Sequence, residues 1–292
     1  MKRVTRAEIR ATYKERDAWW TVFLVDPVAG PLVRLVSPWR VITPNVLTVT
    51  AFVFGIGAAV CFWQASWPFL AVGALLFHLS FTIDCMDGKL ARLRGGGSAF
   101  GGWLDYIFDR LRVLACTVAL FGGQYAATGE VLFMYLAIGV VFCDMFRYLN
   151  ALYMKDTRRG MRQKLAERAG TSVDQLRLQD EAQLVLGDAA SERAADDGAV
   201  VVDVQHSFKQ RFGWFNRLRD ALVRHRVRSH LFSGVEFQMA VFIVGPLTTL
   251  IAAFSIGAMA LVLLVEAAVT YKLYLSARDV DRQLAAPVPA AP

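Results

Sequence analysis

The sequence predicts an all-α integral membrane protein of six spans, on three observations. Of its 292 residues, 55% are hydrophobic, above the about 45–50% of ordinary soluble domains, and the mean hydropathy is +0.40. Six apolar runs reach the roughly 20 residues that a bilayer core requires. Basic residues gather in alternate links between those runs, as the positive-inside rule expects.

The first 40 residues precede any span. Arg10, Lys14 and Arg16 lead into Trp19, Trp20, Phe23, Leu24 and Val25. This pattern predicts an interfacial amphipathic helix, and Pro27, Pro31 and Pro38 are expected to break the chain after Val25 into a bent connector. An ordinary cytoplasmic tail is the plainer alternative. The opening residues are charged and the first long apolar run begins near Val41, so no signal peptide is expected.

The spans are expected at about 42–63, 68–92, 99–122, 131–151, 235–254 and 257–276. The links near Gln64, Gly123 and Ser255 hold no Lys or Arg, whereas the other links and both ends do. Both termini, and the turn between spans two and three, are therefore expected on the cytoplasmic side. The expected layout is a segment 1–40, spans one to four in 41–154, a cytoplasmic insert 155–233, spans five and six in 234–278, and a tail 279–292. A bacterial cell membrane is the expected location.

The insert has three compositions. Lys155–Arg168 is basic, and Thr171–Asp203 is acidic, Ala-rich and expected to be loosely structured. In 206–230, Phe208, Phe212, Trp214, Phe215, Leu218 and Leu222 interleave with Lys209, Arg211, Arg217 and Arg219. That pattern predicts a basic amphipathic helix on an anionic lipid surface. The net charge of +7 is explained in the same way. No nucleic-acid partner is expected, because no recognition fold accompanies the basic stretch. Cys61, Cys85, Cys116 and Cys143 lie in or beside apolar runs without CxxC spacing and read as small core residues.

The chemistry is carried by two spans. Asp84 and Asp87 are three residues apart and share a helix face, which continues to Ala91. Gly101, Asp105 and Asp109 repeat every four residues on the next helix. The short connection Leu93-Arg94-Gly95-Gly96-Gly97-Ser98 makes the two helices antiparallel neighbours, so the acidic faces can meet. Ionisable groups within spans are functional-site candidates by default. Four carboxylates repel by several kcal/mol at low dielectric unless cations intervene, and all-oxygen donors select Mg²⁺, Ca²⁺ or Mn²⁺. Gly88 and Ala91 leave the acidic face open, Gly101 permits close helix approach, and Arg92 offers a fork suited to phosphate.

The pattern Asp84-x2-Asp87-Gly88-x2-Ala91-Arg92-x8-Gly101-x3-Asp105-x3-Asp109 resembles the signature of the CDP-alcohol phosphotransferases at every fixed position. Thr43-Pro44-Asn45-Val46-Leu47-Thr48 resembles the family's opening of its first span. The resemblance covers about 40–150 well, spans five and six by topology only, and does not extend to the insert. It implies transfer of a substituted phosphate from a CDP-linked donor to an alcohol, with release of CMP. It also implies that Asp84, Asp87, Asp105 and Asp109 hold two Mg²⁺ ions, with Mn²⁺ as a substitute, and that Asp109 is the general base. Asn45, Gly88, Ala91 and Arg92 would meet the donor. The donor is expected to be CDP-diacylglycerol and the acceptor a small polar alcohol, or else a CDP-linked headgroup and a lipid alcohol. The family commonly forms homodimers.

Two other classes use intramembrane acids. A cation-coupled transporter would explain the Asp cluster but does not require Gly88, Ala91 and Arg92. A UbiA-type prenyltransferase arranges its acidic motifs differently. Arg110, Arg112, Arg147 and Glu236 are the candidates for an acceptor pocket, with snorkelling as the bland reading of the first two. Asp144 is expected to pair with Arg147. Glu266 needs a partner inside the bundle. His78 reads as packed and hydrogen-bonded, while His206, His225 and His230 read as surface.

Overall fold

Capping residues set where the helices begin. The computed structural model describes residues 4–170, 176–178, 200–202, 225–228 and 232–285. Helix α1 (Arg6–Ala11) starts at a capping box, in which Thr5 Oγ1 accepts from Glu8 N and the Glu8 carboxylate accepts from Thr5 N. A π-helical turn, Thr21–Val25, runs directly into α2 (Asp26–Val36). Neither Pro27 nor Pro31 breaks the chain, contrary to expectation. Pro27 occupies the first turn, where its missing N–H leaves nothing unsatisfied. Pro31 lies inside α2, where an interior proline costs about 3 kcal/mol. Val25 and Val33, both fully buried, each return about 1.5–3 kcal/mol. The turn comes instead at Ser37–Pro38.

Helix α3 (Pro44–Trp63) is capped by Thr43, whose Oγ1 accepts from Val46 N at 3.2 Å. Helix α4 (Trp67–Leu93) carries Pro68 in its first turn. Helix α5 (Ala99–Thr128) is capped by Ser98 and ends at Gly129, with φ 72°. Helix α6 covers Leu132–Ala169. Strands β1 (Leu176–Leu178) and β2 (Val200–Val202) pair in parallel. Helix α7 (Gly234–Met239), a π-helical stretch Ala240–Val244 and α8 (Gly245–Thr248) form one broken helix, followed by α9 (Ile251–Ala285).

Four helices among the described residues are long and apolar enough to cross a membrane: Pro44–Trp63, Trp67–Leu93, Leu132–Arg168 and Ile251–Ala285. Gly234–Thr248 is shorter, and α5 carries Asp105, Asp109, Arg110 and Arg112 in its first half. Two expected links move. The chain does not turn at Gly123, because Gly122 and Gly123 serve packing. A Cβ on Gly123 would lie 2.5 Å from the Trp63 carbonyl oxygen. Nor does it turn at Ser255, which is buried inside α9. The turn falls at Thr249, φ 61°, just after Gly245 and Pro246.

The described chain divides into two compact units, residues 1–145 with 223–263, and 146–222 with 264–292. The core of the first is built on Phe62, Phe77, Leu120, Phe121, Phe237 and Phe242, with the Phe77 and Phe242 rings 4.8 Å apart. All four cysteines are free, and Cys116 and Cys143 are buried in this core, as expected. In the second, Met161, Leu165, Ala166 and Val280 cluster. Glu266 finds the partner it needs there, accepting from Asn150 Nδ2 at 2.6 Å. The expected helix over 206–230 lies, apart from 225–228, outside the described residues. So does Thr171–Asp203, apart from β1 and β2.

Candidate active site

Thr43 and Pro44 start α3 so that Asn45 and Thr48 face the end of α4. That end carries Asp84, Asp87, Gly88 and Ala91 within two turns. The reversal to α5 is made by Gly95 and Gly96, at φ 94° and 120°, a region open to glycine at little cost. Arg94 secures the reversal, donating to the carbonyls of Ile42 (2.8 Å), Trp39 (3.1 Å) and Ser37 (3.3 Å). A Cβ on Gly101 would sit 2.8 Å from Asn45 Oδ1, so the glycine does permit close approach.

The two acidic faces meet. Carboxylate oxygens of Asp84, Asp87 and Asp105 lie within 4.8 Å of one another. Two unit charges at that distance repel by about 3.5 kcal/mol at an effective dielectric of about 20. Asp87, the most buried, accepts from Thr48 Oγ1 at 2.6 Å. Arg112 reaches Asp84 at 3.5 Å. One guanidinium against three carboxylates leaves an excess of negative charge, and the donors are hard oxygens. The set fits a hard divalent cation.

Asp109 stands outside this trio, held by Arg112 Nη2 and, at 3.1 Å, by Arg110 Nη2. Arg112 also donates to Ser80 Oγ at 3.1 Å. Neither arginine snorkels: Arg110 is 8% exposed and Arg112 2%. Arg110 also pairs with Asp144, whose second oxygen accepts from Gln238 Nε2 at 3.0 Å. Arg110 and Gln238 are thus two partners of Asp144 that the sequence did not announce. Arg147 belongs to the second unit. Glu236 closes a capping box with Ser233 and is buried, its Oε1 without a hydrogen-bond partner among the described residues. His78 accepts from Trp20 Nε1 at 3.4 Å, a packed histidine as expected.

Two cavities share Asp87, Gly88 and Asp105. The larger, about 500 Å³, is also lined by Asn45, Thr48, Ala91 and Gly101. The smaller, about 320 Å³, adds Asp84, Asp109, Lys14, Lys89, Arg92 and Arg228. Arg92 donates from Nε to the Thr12 carbonyl at 2.6 Å and lies beside Gly88.

Several of these residues escape a reading of the motif. Lys89, between two motif positions, is buried and paired with Asp26 at 2.9 Å. Arg226 meets the other Asp26 oxygen at 3.4 Å and lies over the Tyr13 ring at 5.0 Å. Burial, then the Asp26 charge, raises the Tyr13 phenol above its usual pKa, so it stays an O–H donor, here to the Asp26 carbonyl at 3.2 Å. An intramembrane-edge lysine in an acidic motif is the one sequence signal that could have found this network.

Residues 41–174 match the family described as CDP-alcohol phosphatidyltransferase. This stretch is similar to the domain of that family. It contains α3 to α5 and every motif residue. The chain is 34% identical over 88 residues to a phosphatidylinositol phosphate synthase of Corynebacterium glutamicum, covering 30% of this chain and 37% of the relative. It is 36% identical over 87 residues to an archaetidylinositol phosphate synthase of Methanothermobacter thermautotrophicus, 30% of this chain and 39% of the relative. With a bifunctional IPC transferase and DIPP synthase of Aquifex aeolicus it shares 35% identity over 77 residues, 26% and 17%. The matches thus span well under half of each relative's own length. The match to this family does not favour the transporter alternative.

Proposed function

We propose that this chain transfers a substituted phosphate from a CDP-linked lipid to an alcohol hydroxyl and releases CMP. The observation that carries the reading is the convergence of Asp84, Asp87 and Asp105 within 4.8 Å on a wall shared by two cavities. A two-substrate transfer needs that arrangement, one approach for each substrate.

Asp84, Asp87 and Asp105, completed by Asp109, would hold two Mg²⁺ ions, or Mn²⁺ in their place. Bound there, divalent ions supply charge neutralisation for the pyrophosphate and the leaving CMP. The protein's own groups do the rest. Gly88 and Ala91 keep the larger cavity open to the cytidine, Asn45 borders it, and Arg92 faces the phosphates. Asp109, oriented by Arg110 and Arg112, keeps free lone pairs and takes the acceptor's hydroxyl proton. The acceptor oxygen bonds to phosphorus as the bond from phosphorus to the CMP oxygen breaks. The acceptor approaches through the smaller cavity, whose Lys14, Arg92 and Arg228 suit an anionic group; Glu236, next to the lining residue Val235, remains a candidate for the same pocket.

A relative named phosphatidylinositol phosphate synthase supports CDP-diacylglycerol as donor, and with one named archaetidylinositol phosphate synthase it puts inositol phosphate first among acceptors. We place both termini and the site on the cytoplasmic face. In that layout α5 and Gly234–Thr248 complete six spans, α1 and α2 form the interfacial segment, and 155–233 is the insert. The homodimer carried by the resemblance belongs to the same reading. The test is incubation of the purified protein with CDP-diacylglycerol, Mg²⁺ and a panel of inositol phosphate, glycerol phosphate and serine, with mass spectrometry for CMP and a new lipid. A second arm offers CDP-linked headgroups and diacylglycerol. CMP from the first arm is expected. CMP from neither arm overturns the proposal.

A further inference from the structure

A third cavity, about 640 Å³, lies between α1 and α2, within the roughly 300–1,000 Å³ typical of ligand sites. It is lined by Arg6, Arg10 and Arg34 and by the apolar Ile9, Pro31 and Leu35. None of the three arginines is paired with a carboxylate among the described residues. The only carboxylate in the lining, Asp26, is already taken by Lys89 at 2.9 Å and Arg226 at 3.4 Å. Glu8 caps Thr5 and stands two residues from both Arg6 and Arg10, off their face of the helix. Among the described residues Arg34 uses only Nε, donating to the Val4 carbonyl at 3.0 Å. Its remaining four N–H groups are left for a ligand.

The helix that forms the cavity wall also shows where the ligand comes from. Leu24, Val28, Leu32 and Leu35 form one stripe and are 44%, 48%, 37% and 63% exposed, while Val25, Ala29 and Val33 on the opposite face are fully buried. The outward face of this segment is therefore apolar, with three cations beside it that have no carboxylate partner among the described residues. That is the profile of a helix lying at the headgroup level of a membrane. Charge complementarity at that depth selects an anionic lipid.

We propose that this cavity binds the phosphate group of an anionic membrane phospholipid. Arg6, Arg10 and Arg34 hold the headgroup, and Ile9, Pro31 and Leu35 pack against its glycerol and first acyl carbons. The proposal rests on the chain being a membrane protein and is independent of the transferase reading.

The test uses the full chain in nanodiscs of phosphatidylcholine with phosphatidylglycerol as the minor lipid. Native mass spectrometry of the released protein reads which lipid it retains. Wild type is expected to retain phosphatidylglycerol preferentially. The preference should fall about fivefold for each arginine exchanged for Gln, in R6Q and R10Q singly and in the R6Q/R10Q/R34Q triple. The exposed single variants keep the test valid if the triple variant fails to fold. Asp87→Asn should keep the lipid preference while losing CMP release, which separates this site from the carboxylate centre. An unchanged preference in folded R6Q and R10Q overturns the proposal. So does complete displacement of the lipid by excess inorganic phosphate, which would mark a site for free phosphate.

Discussion

Asp87 is the most buried of the three converging carboxylates, and Thr48 makes that burial tolerable. A hydrogen bond to a charged group contributes about 1.5–3 kcal/mol, and here the donor also fixes which way the carboxylate faces. Thr48→Val keeps the shape and removes the donor. Groups that orient a metal ligand typically change affinity or activity about 10–100-fold when lost. Thr48→Val should therefore raise the half-saturating Mg²⁺ concentration for CMP release by about that factor, and Thr48→Ser should restore it. Asp26 and Lys89 pose a different residue-scale question, since both are nearly inaccessible. Removing one partner of a buried pair costs about 3–5 kcal/mol, because the other charge stays buried alone. Asp26→Asn should thus lower the thermal midpoint in detergent markedly, and adding Lys89→Met should recover most of the loss. The convergence of Asp84, Asp87 and Asp105 was legible because helical spacing alone puts them on two faces. The place of Arg112 was not: the sequence offered it as an acceptor contact or a snorkelling charge, and only packing reveals that it is locked between Asp84 and Asp109.

Helix α5 lies against α3 through glycines at both ends of the contact, and these do different things. At the site end, Gly101 faces the Asn45 side chain, which can move aside. At the far end, Gly123 faces the Trp63 main chain, 2.5 Å from where a Cβ would be, and a main chain cannot yield without shifting α3. Gly123→Ala should destabilise by about 1–3 kcal/mol, as overpacking does. Gly257→Ala in α9, where a Cβ meets nothing within 4 Å, should be neutral or add up to about 1 kcal/mol from helix propensity. Thermal unfolding of the two variants side by side checks both. The same pair of glycines explains why one helix end was misplaced in the sequence. Gly122-Gly123 has the composition of a turn, and hydropathy carries no information about the neighbouring Trp63. The turn at Thr249 was missed for the complementary reason. Thr248-Thr249-Leu250 interrupts apolarity too little to compete with Ser255-Ile256-Gly257.

The converging carboxylates and residues 171–203 fall in different compact units of the molecule. Every carboxylate of the site, and every residue that orients one, falls in the first compact unit, whereas 171–203 belongs to the second. Among the described residues β1 pairs only with β2, so removing 171–203 takes out both partners and exposes no orphan strand edge. The end of the insert is another matter. Val227 is buried and bridges to Asp17. Arg226 donates to the Lys14 carbonyl at 2.6 Å as well as meeting Asp26 and Tyr13. It does so from a left-handed conformation, φ 61°, which costs a residue with a Cβ about 1–2 kcal/mol. Those contacts must outweigh that cost. Deleting 171–203 should therefore leave CMP release within about a factor of two, the scatter of a neutral change. Arg226→Ala, which keeps the strained backbone and loses every side-chain contact, should lower the thermal midpoint more than the deletion does. Turnover lost in the deletion with its thermal midpoint intact would instead make the insert part of the reaction, and would move the boundary of the active site beyond the two helices that carry its acids.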